Sequence, residues 1–227
     1  MWDSGKYLLL QINDSLFPIG GYAHSYGMET YIAKGMITGK AEAKSYIESS
    51  LELNLLNSEL LGIKLAYHYS SFNNLPKILE LEDIMKASKA AEEIRLASLR
   101  LGSRFLKAVD AMNLKNQNSV FKRYRLEKEH HYAIAYGVFC QSVQISQYDA
   151  CAHFLYAQAS LMVTNLVKSV PLKQSNGQEI LSSLYPVFER LMEKLEDLGE
   201  EDFCRSTPGF EIRCMQHECL YTRLYMS

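Results

Sequence analysis

Leu8–Met28, LLLQINDSLFPIGGYAHSYGM, is the stretch on which the reading of this chain turns. Leu8, Leu9, Leu10 and Ile12 form a short apolar run. Asn13, Asp14 and Ser15 follow, with side chains that compete for backbone hydrogen bonds and stop helices. Pro18 fixes φ and lacks an amide donor, while Gly20 and Gly21 permit backbone angles or close approaches that a side chain forbids. Leu16, Phe17 and Ile19 supply apolar anchors, so the loop is expected to be packed against the body of the protein. Ser25, as the expected N-cap, opens a new amphipathic helix through Gly27-Met28-Glu29. A packed loop carrying Asp14, Ser15, His24 and Ser25 is either a catalytic pocket or a structural corner.

Outside this loop, turn chemistry is sparse. Five prolines and twelve glycines punctuate 227 residues, and helix is the prevailing period. From Lys40 to about Tyr67 a stripe recurs at Tyr46, Leu53, Leu56, Leu60, Ile63 and Tyr67, and a short helical piece at Ile78–Met85 follows a polar turn. Ala91–Met112 places Ile94, Ala97, Ser98, Leu101, Phe105, Ala108 and Met112 on one face, with Arg95, Arg100, Arg104 and Lys107 on the remainder. Gly102 in its middle costs about 1 kcal/mol relative to Ala, which implies close approach by another helix. Leu114–Val120 reads as a surface loop and Phe121–Glu129 as a charged, exposed segment. The next helix starts near His131, with Gly137 marking a tight crossing. Gln147–Val170 is apolar on nearly every face, the pattern of a central helix or one that crosses a subunit interface. Pro171 ends it, and Pro186 kinks or splits the last long helix, Ile180–Leu198. Beyond Gly199, Ile212–Ser227 is a tail with Met215, Cys219, Leu220 and Leu224 at helical intervals. Tyr221, Arg223 and Tyr225 in it are residue types favoured at interfaces.

With 48% apolar and 22% charged residues, the composition is that of an ordinary globular protein. A formal charge of −2 gives no electrostatic case for nucleic acid. Five irregularly spaced cysteines suit a reducing compartment, and no stretch approaches the ~18 apolar residues of a membrane span. The chain is therefore expected to be cytoplasmic and unanchored. No Walker loop, G-x-S-x-G, H-E-x-x-H or Rossmann glycine pattern is present. The metal candidates are Cys214, His217 and Cys219, two thiols and an imidazole within six residues, together with His24. A fourth ligand at an established spacing is missing.

Three dispersed motifs resemble the UreF family of urease accessory proteins. The first is Asp14-Ser15-Leu16-Phe17-Pro18-Ile19-Gly20-Gly21-Tyr22-Ala23-His24-Ser25 with Gly27-Met28-Glu29. The second is the spacing of Glu93, Arg95, Leu96, Ala97, Arg100, Leu101 and Gly102. The third is Ser169-Val170-Pro171-Leu172-Lys173-Gln174 with Gly177-Gln178, and the chain closes on the family's type of ending at Arg223–Ser227.

The resemblance implies an all-α, single-domain helical bundle over residues 1–199, of roughly eight to ten helices, and a partner-binding tail over 200–227 that joins this domain when bound. It implies a non-catalytic scaffold, a homodimer with Tyr156 at the dimer contact. The scaffold binds UreD/UreH through a tail carrying Tyr221, Arg223, Leu224, Tyr225 and Met226, recruits the GTPase UreG and docks on apo-urease. No cofactor is intrinsic, and nickel is the cargo of the assembly. The rivals are a metal-binding protein or metal-dependent hydrolase built on His24 and Cys214/His217/Cys219, and a GTPase activator with an arginine finger from Arg95, Arg100 or Arg104.

Overall fold

In the computed structural model, which describes residues 4–114, 117–221 and 223–227, the helical period of the sequence becomes an all-α bundle without a strand among the described residues. The elements are α1 (Ser4–Ile12), α2 (Met28–Ala33), α3 (Lys40–Ser50), a π-helical stretch (Leu51–Leu60), α4 (Leu61–Ser71), α5 (Leu75–Ser88), α6 (Glu92–Ala111), α7 (Ser119–Tyr124), α8 (Tyr132–Ser142), α9 (Gln147–Ser169), α10 (Gln174–Ser183), α11 (Tyr185–Asp197) and α12 (Pro208–His217). No described helix is long and apolar enough to cross a membrane.

The bundle is built around α8, not α9. Every residue from Tyr132 to Cys140 is buried, and α4 and α6 pack on it more extensively than any other elements. Its approach to α4 depends on Gly137, where an added Cβ would stand 2.6 Å from the Ile63 carbonyl oxygen. The long helix α9 matches its expected span, yet it leaves Tyr148, Tyr156, Thr164 and Lys168 exposed. Its tyrosines mimic apolar positions in the sequence pattern, while His153, Gln158 and Ser160 open the surface side.

Other differences have similar physical causes. Residues 40–71 form one continuous rod, but its middle is wound as a π-helix, and the wider turn swings Leu53 out to 62% exposure. Residues 119–124 are helical, capped by the Asn118 side chain accepting from the Phe121 amide. Phe121 and Tyr124 are buried there, while Lys122, Arg123 and residues 125–129 match the expected charged surface. Asn116 lies outside the described residues. Pro186 splits its segment as expected, sitting in the first turn of α11, where no amide donor is required.

One hydrophobic core runs from Leu9 to Phe203. A separate small cluster of Ala91, Ile94 and Cys214, with Tyr26 and Phe210 against it, seats α12. The helical pattern expected to continue to Ser227 stops at His217, and Met215, Cys219 and Leu224 face solvent. Residues 223–227 are irregular and held mainly by polar contacts.

Candidate functional site

The loop after α1 is braced from both ends. The Asn13 side-chain amide donates to the Leu9 carbonyl at 2.9 Å and to the Tyr136 hydroxyl at 2.8 Å, which ties the loop to α8. Asp14 Oδ1 accepts from the Leu16 amide at 2.7 Å, an Asx turn. Phe17 is buried with its ring 6.0 Å from Phe105, whereas Ser15, Leu16 and Pro18 are exposed. Gly20 takes φ +78°, and Arg104 of α6 donates to the neighbouring Ile19 carbonyl at 3.2 Å. Gly21 has neither a positive φ nor a close neighbour, so its backbone does not demand glycine.

Ser25 is not the helix cap; Gly27 at φ +78° is. The Ser25 hydroxyl instead donates to the Ser227 carbonyl oxygen at 2.8 Å, and the Ser25 and Tyr26 amides donate to the same oxygen at 2.5 and 2.9 Å. The Met226 amide donates to the Ala23 carbonyl at 2.8 Å, and His24 Nδ1 stands 2.8 Å from Ser227 Oγ. The His24 carbonyl accepts from the buried Asn165 amide of α9 at 3.0 Å. Burial, then the nearby Arg104 and Arg100, lower the pKa of His24.

A second set of contacts completes the seat. Glu29, at 8% exposure, accepts from the Leu224 and Tyr225 amides at 2.8 and 3.1 Å. His217, at 1% exposure, has Nε2 3.0 Å from Glu29 and Nδ1 2.8 Å from Glu93 of α6. Arg223 donates to the other Glu93 oxygen at 2.5 Å. The first motif, the start of α6 and the tail are thereby one unit, with Tyr221, Leu224 and Met226 at its outer surface.

The metal candidates are not brought together. Both His217 nitrogens face carboxylates, Cys219 is exposed, and Cys214 lies with its sulfur 3.6 Å from the Tyr26 carbonyl, where burial pushes its thiol pKa up. No group of three or more His, Cys, Asp or Glu among the described residues is placed to hold a metal ion. The rival site on His24 and Cys214/His217/Cys219 is therefore not assembled in this geometry. Of the arginines, Arg95 is turned back to donate to the Lys89 carbonyl at 2.8 Å, and Arg100 is exposed. Gly102 admits no side chain, since a Cβ there would stand 2.0 Å from the His130 carbonyl oxygen. The close approach is thus made by the segment entering α8, and not by another helix.

The third motif is a turn and helix start: Pro171, Gln174 and Gln178 are exposed, and Gly177 is buried against Val163 and Val167 of α9. Tyr156, 46% exposed, lies against Phe188 with ring centroids 6.3 Å apart, and Tyr185 extends the aromatic patch at 6.2 Å from Phe188.

Sequence reasoning passed over several buried polar groups. Lys89 and Glu59 form a buried ion pair at 2.7 Å. Glu82 accepts from the Tyr124 hydroxyl and, at 2.8 Å, from the His131 amide, and burial holds its carboxyl at about 8. Neither had a sequence signal distinct from surface charge. Asn165 had one, as an amide inside an apolar run.

Comparison with known proteins gives a concordant result. The UreF family model matches residues 37–185. A urease accessory protein UreF of Bacillus sp. (strain TB-90) is 34% identical over 221 residues, 96% of this chain and 97% of that protein. Those of Haemophilus influenzae (strain ATCC 51907 / DSM 11121 / KW20 / Rd) and Actinobacillus pleuropneumoniae serotype 5b (strain L20) are each 33% identical over 96% of this chain, covering 94% and 97% of their own lengths.

Proposed function

Since the chain belongs to the UreF family of urease accessory proteins, we propose that it is a non-catalytic scaffold that bridges UreD/UreH and the GTPase UreG for GTP-dependent insertion of nickel into apo-urease. The observation that carries this reading is the union of the first motif with the tail. Residues from opposite ends of the chain are joined there to position a surface. Arg223 is fixed by Glu93, while Tyr221, Leu224 and Met226 present large side chains outward, an arrangement suited to a partner that needs a shaped apolar face with a positioned charge.

The protein acts as a homodimer in the cytoplasm, with Tyr156, Tyr185 and Phe188 as the aromatic patch between the two copies. Nickel is cargo, passed within the assembly and not held by a resident site of this chain. The reading is tested by co-purifying the full chain with UreD/UreH and UreG. Arg223→Ala is expected to lower recovery of UreG with the fold intact, and Tyr156→Asp to give a monomer by light scattering at tens of micromolar, a range where a modest dimer forms. Undiminished UreG recovery, together with an unchanged mass for Tyr156→Asp, refutes it.

A further inference from the structure

α1, the first-motif loop and the end of α6 frame a groove of about 560 Å³, lined by the apolar side chains of Leu10, Leu16, Phe17, Pro18, Ala108 and Met112, with Gln11 and Asp14 as its polar members. Leu10 and Leu16 are 52% and 89% exposed, an unusual investment of apolar surface at the mouth of a groove. Beside it, Arg100, Arg104 and Lys107 occupy one row of α6 at i, i+4 and i+7. All three are exposed, and none forms an ion pair among the described residues. The nearest acidic side chains of the same helix are already engaged, Asp110 with Arg125 and Glu93 with His217 and Arg223. Arg104 is held at the rim through the Ile19 carbonyl, so part of this charge is positioned before anything binds.

We propose that this face docks an acidic amphipathic helix of a partner protein, its apolar side chains in the groove and its carboxylates along the Arg100–Arg104–Lys107 row. Charge complementarity selects the occupant: three aligned cations without an ion-pair partner among the described residues favour a run of anions. The groove requires side chains with apolar bulk, which a nucleic-acid backbone lacks. A flat anionic membrane would leave the groove unfilled. The site goes beyond the bridging role of the tail, because the residues that line it and the basic row beside it are not those assigned to the tail.

The test is photo-cross-linking from Leu16, replaced by p-benzoylphenylalanine in the full chain co-expressed with the urease subunits and maturation proteins. Mass spectrometry then identifies the captured segment. The expected result is a segment with apolar residues at helical spacing and a net negative charge. Arg100→Glu with Lys107→Glu should lower the yield about tenfold, and Arg100→Lys with Lys107→Arg should preserve it. Capture of a segment without net negative charge, capture of this chain itself, an undiminished yield after charge reversal, or the absence of any cross-link overturns the proposal. Co-purification of the same labelled chain, read in parallel, shows whether the bridging reading stands or falls separately.

Discussion

Replacing Glu29 by Gln isolates the contact that holds the tail to the first motif. Glu29 is buried, accepts the Leu224 and Tyr225 amides at 2.8 and 3.1 Å, and faces His217 Nε2 at 3.0 Å. Glutamine keeps the shape but has one acceptor oxygen, so its NH₂ must point at a donor. Two opposing effects compete. Removing a buried charge relieves its desolvation cost, but the donors around it remain, and breaking one side of such a set is the more expensive change. Two charge-assisted bonds reduced to neutral strength cost about 1 kcal/mol each, and one unsatisfied donor about 1 more. The sum is about 3 kcal/mol, roughly a hundredfold shift in the docking equilibrium. The Met226 and Ser227 contacts to residues 23–26 do not involve Glu29 and remain, so the loss falls on the Leu224–Tyr225 segment. Hydrogen exchange at the Leu224 and Tyr225 amides should therefore accelerate by about two orders of magnitude, with α8 unchanged. Unaltered tail exchange would refute the assignment of Glu29 as the anchor, and loss of protection throughout α8 would show that Glu29 supports the whole fold.

Three further outcomes follow from the same geometry. Gly102→Ala gains about 1 kcal/mol of helix propensity but drives a Cβ to 2.0 Å from the His130 carbonyl oxygen. A net loss of about 2–3 kcal/mol is expected from overpacking and from strain on the His131 contacts; a stabilised variant in urea denaturation would contradict the packing at that point. Burial keeps the Glu82 carboxyl protonated up to about 8, so the folded state binds more protons than the unfolded one between the ordinary carboxylate range and that value, and stability falls as pH rises through the window. His131, pushed down to about 3 by burial, acts in the opposite sense only below the ordinary imidazole value of about 6.5. Urea melts of Glu82→Gln should accordingly be flat from pH 6.5 to 8 where the parent declines, and equal slopes would dismiss the buried neutral acid. Burial raises the Cys140, Cys151, Cys204 and Cys214 thiols, and Cys219 alone is exposed, so iodoacetamide at pH 7.5 should label Cys219 first; earlier labelling of Cys214 would mean that α12 is not seated.

Long amphipathic periods were legible in the sequence because burial and spacing coincide in them: α6, the span of α9 and the break at Pro186 all stand where the pattern places them. The turn at residues 13–24 was legible because Asn13, Asp14 and Gly20 each carry a local reason to be there, but of its expected apolar anchors only Phe17 is buried, and Leu16 is 89% exposed. Two features were hidden by period alone. A π-winding changes the residues per turn without changing composition, so Leu53 was assigned to the wrong face. A short helix apolar all round, such as α8, has little amphipathic signal, and its central place emerges only from what packs on it.

The site was legible in its parts but not in its assembly. Glu29, His24, Ser25, Glu93 and Arg223 stand in the motifs, yet the contacts of His24 and Ser25 with Ser227, and of Glu29 with Leu224 and Tyr225, bridge some two hundred residues of sequence. Ser25 shows the difficulty: a serine before an apolar run reads as a cap, and here a distant carbonyl takes its hydroxyl. His217 and Cys214 read as metal ligands from spacing alone. One helical turn separates them on α12, but carboxylates from two other elements claim the imidazole.

The central claim is that this chain joins other proteins through its faces, and a bridging experiment tests it most directly. UreG and UreD/UreH are combined with nucleotide and nickel, with and without the full chain, and the species are resolved by size-exclusion chromatography with light scattering. The account predicts that UreG and UreD/UreH co-migrate only when the chain is present, and that the mixture then activates apo-urease. Co-migration and activation to the same extent without the chain would contradict it.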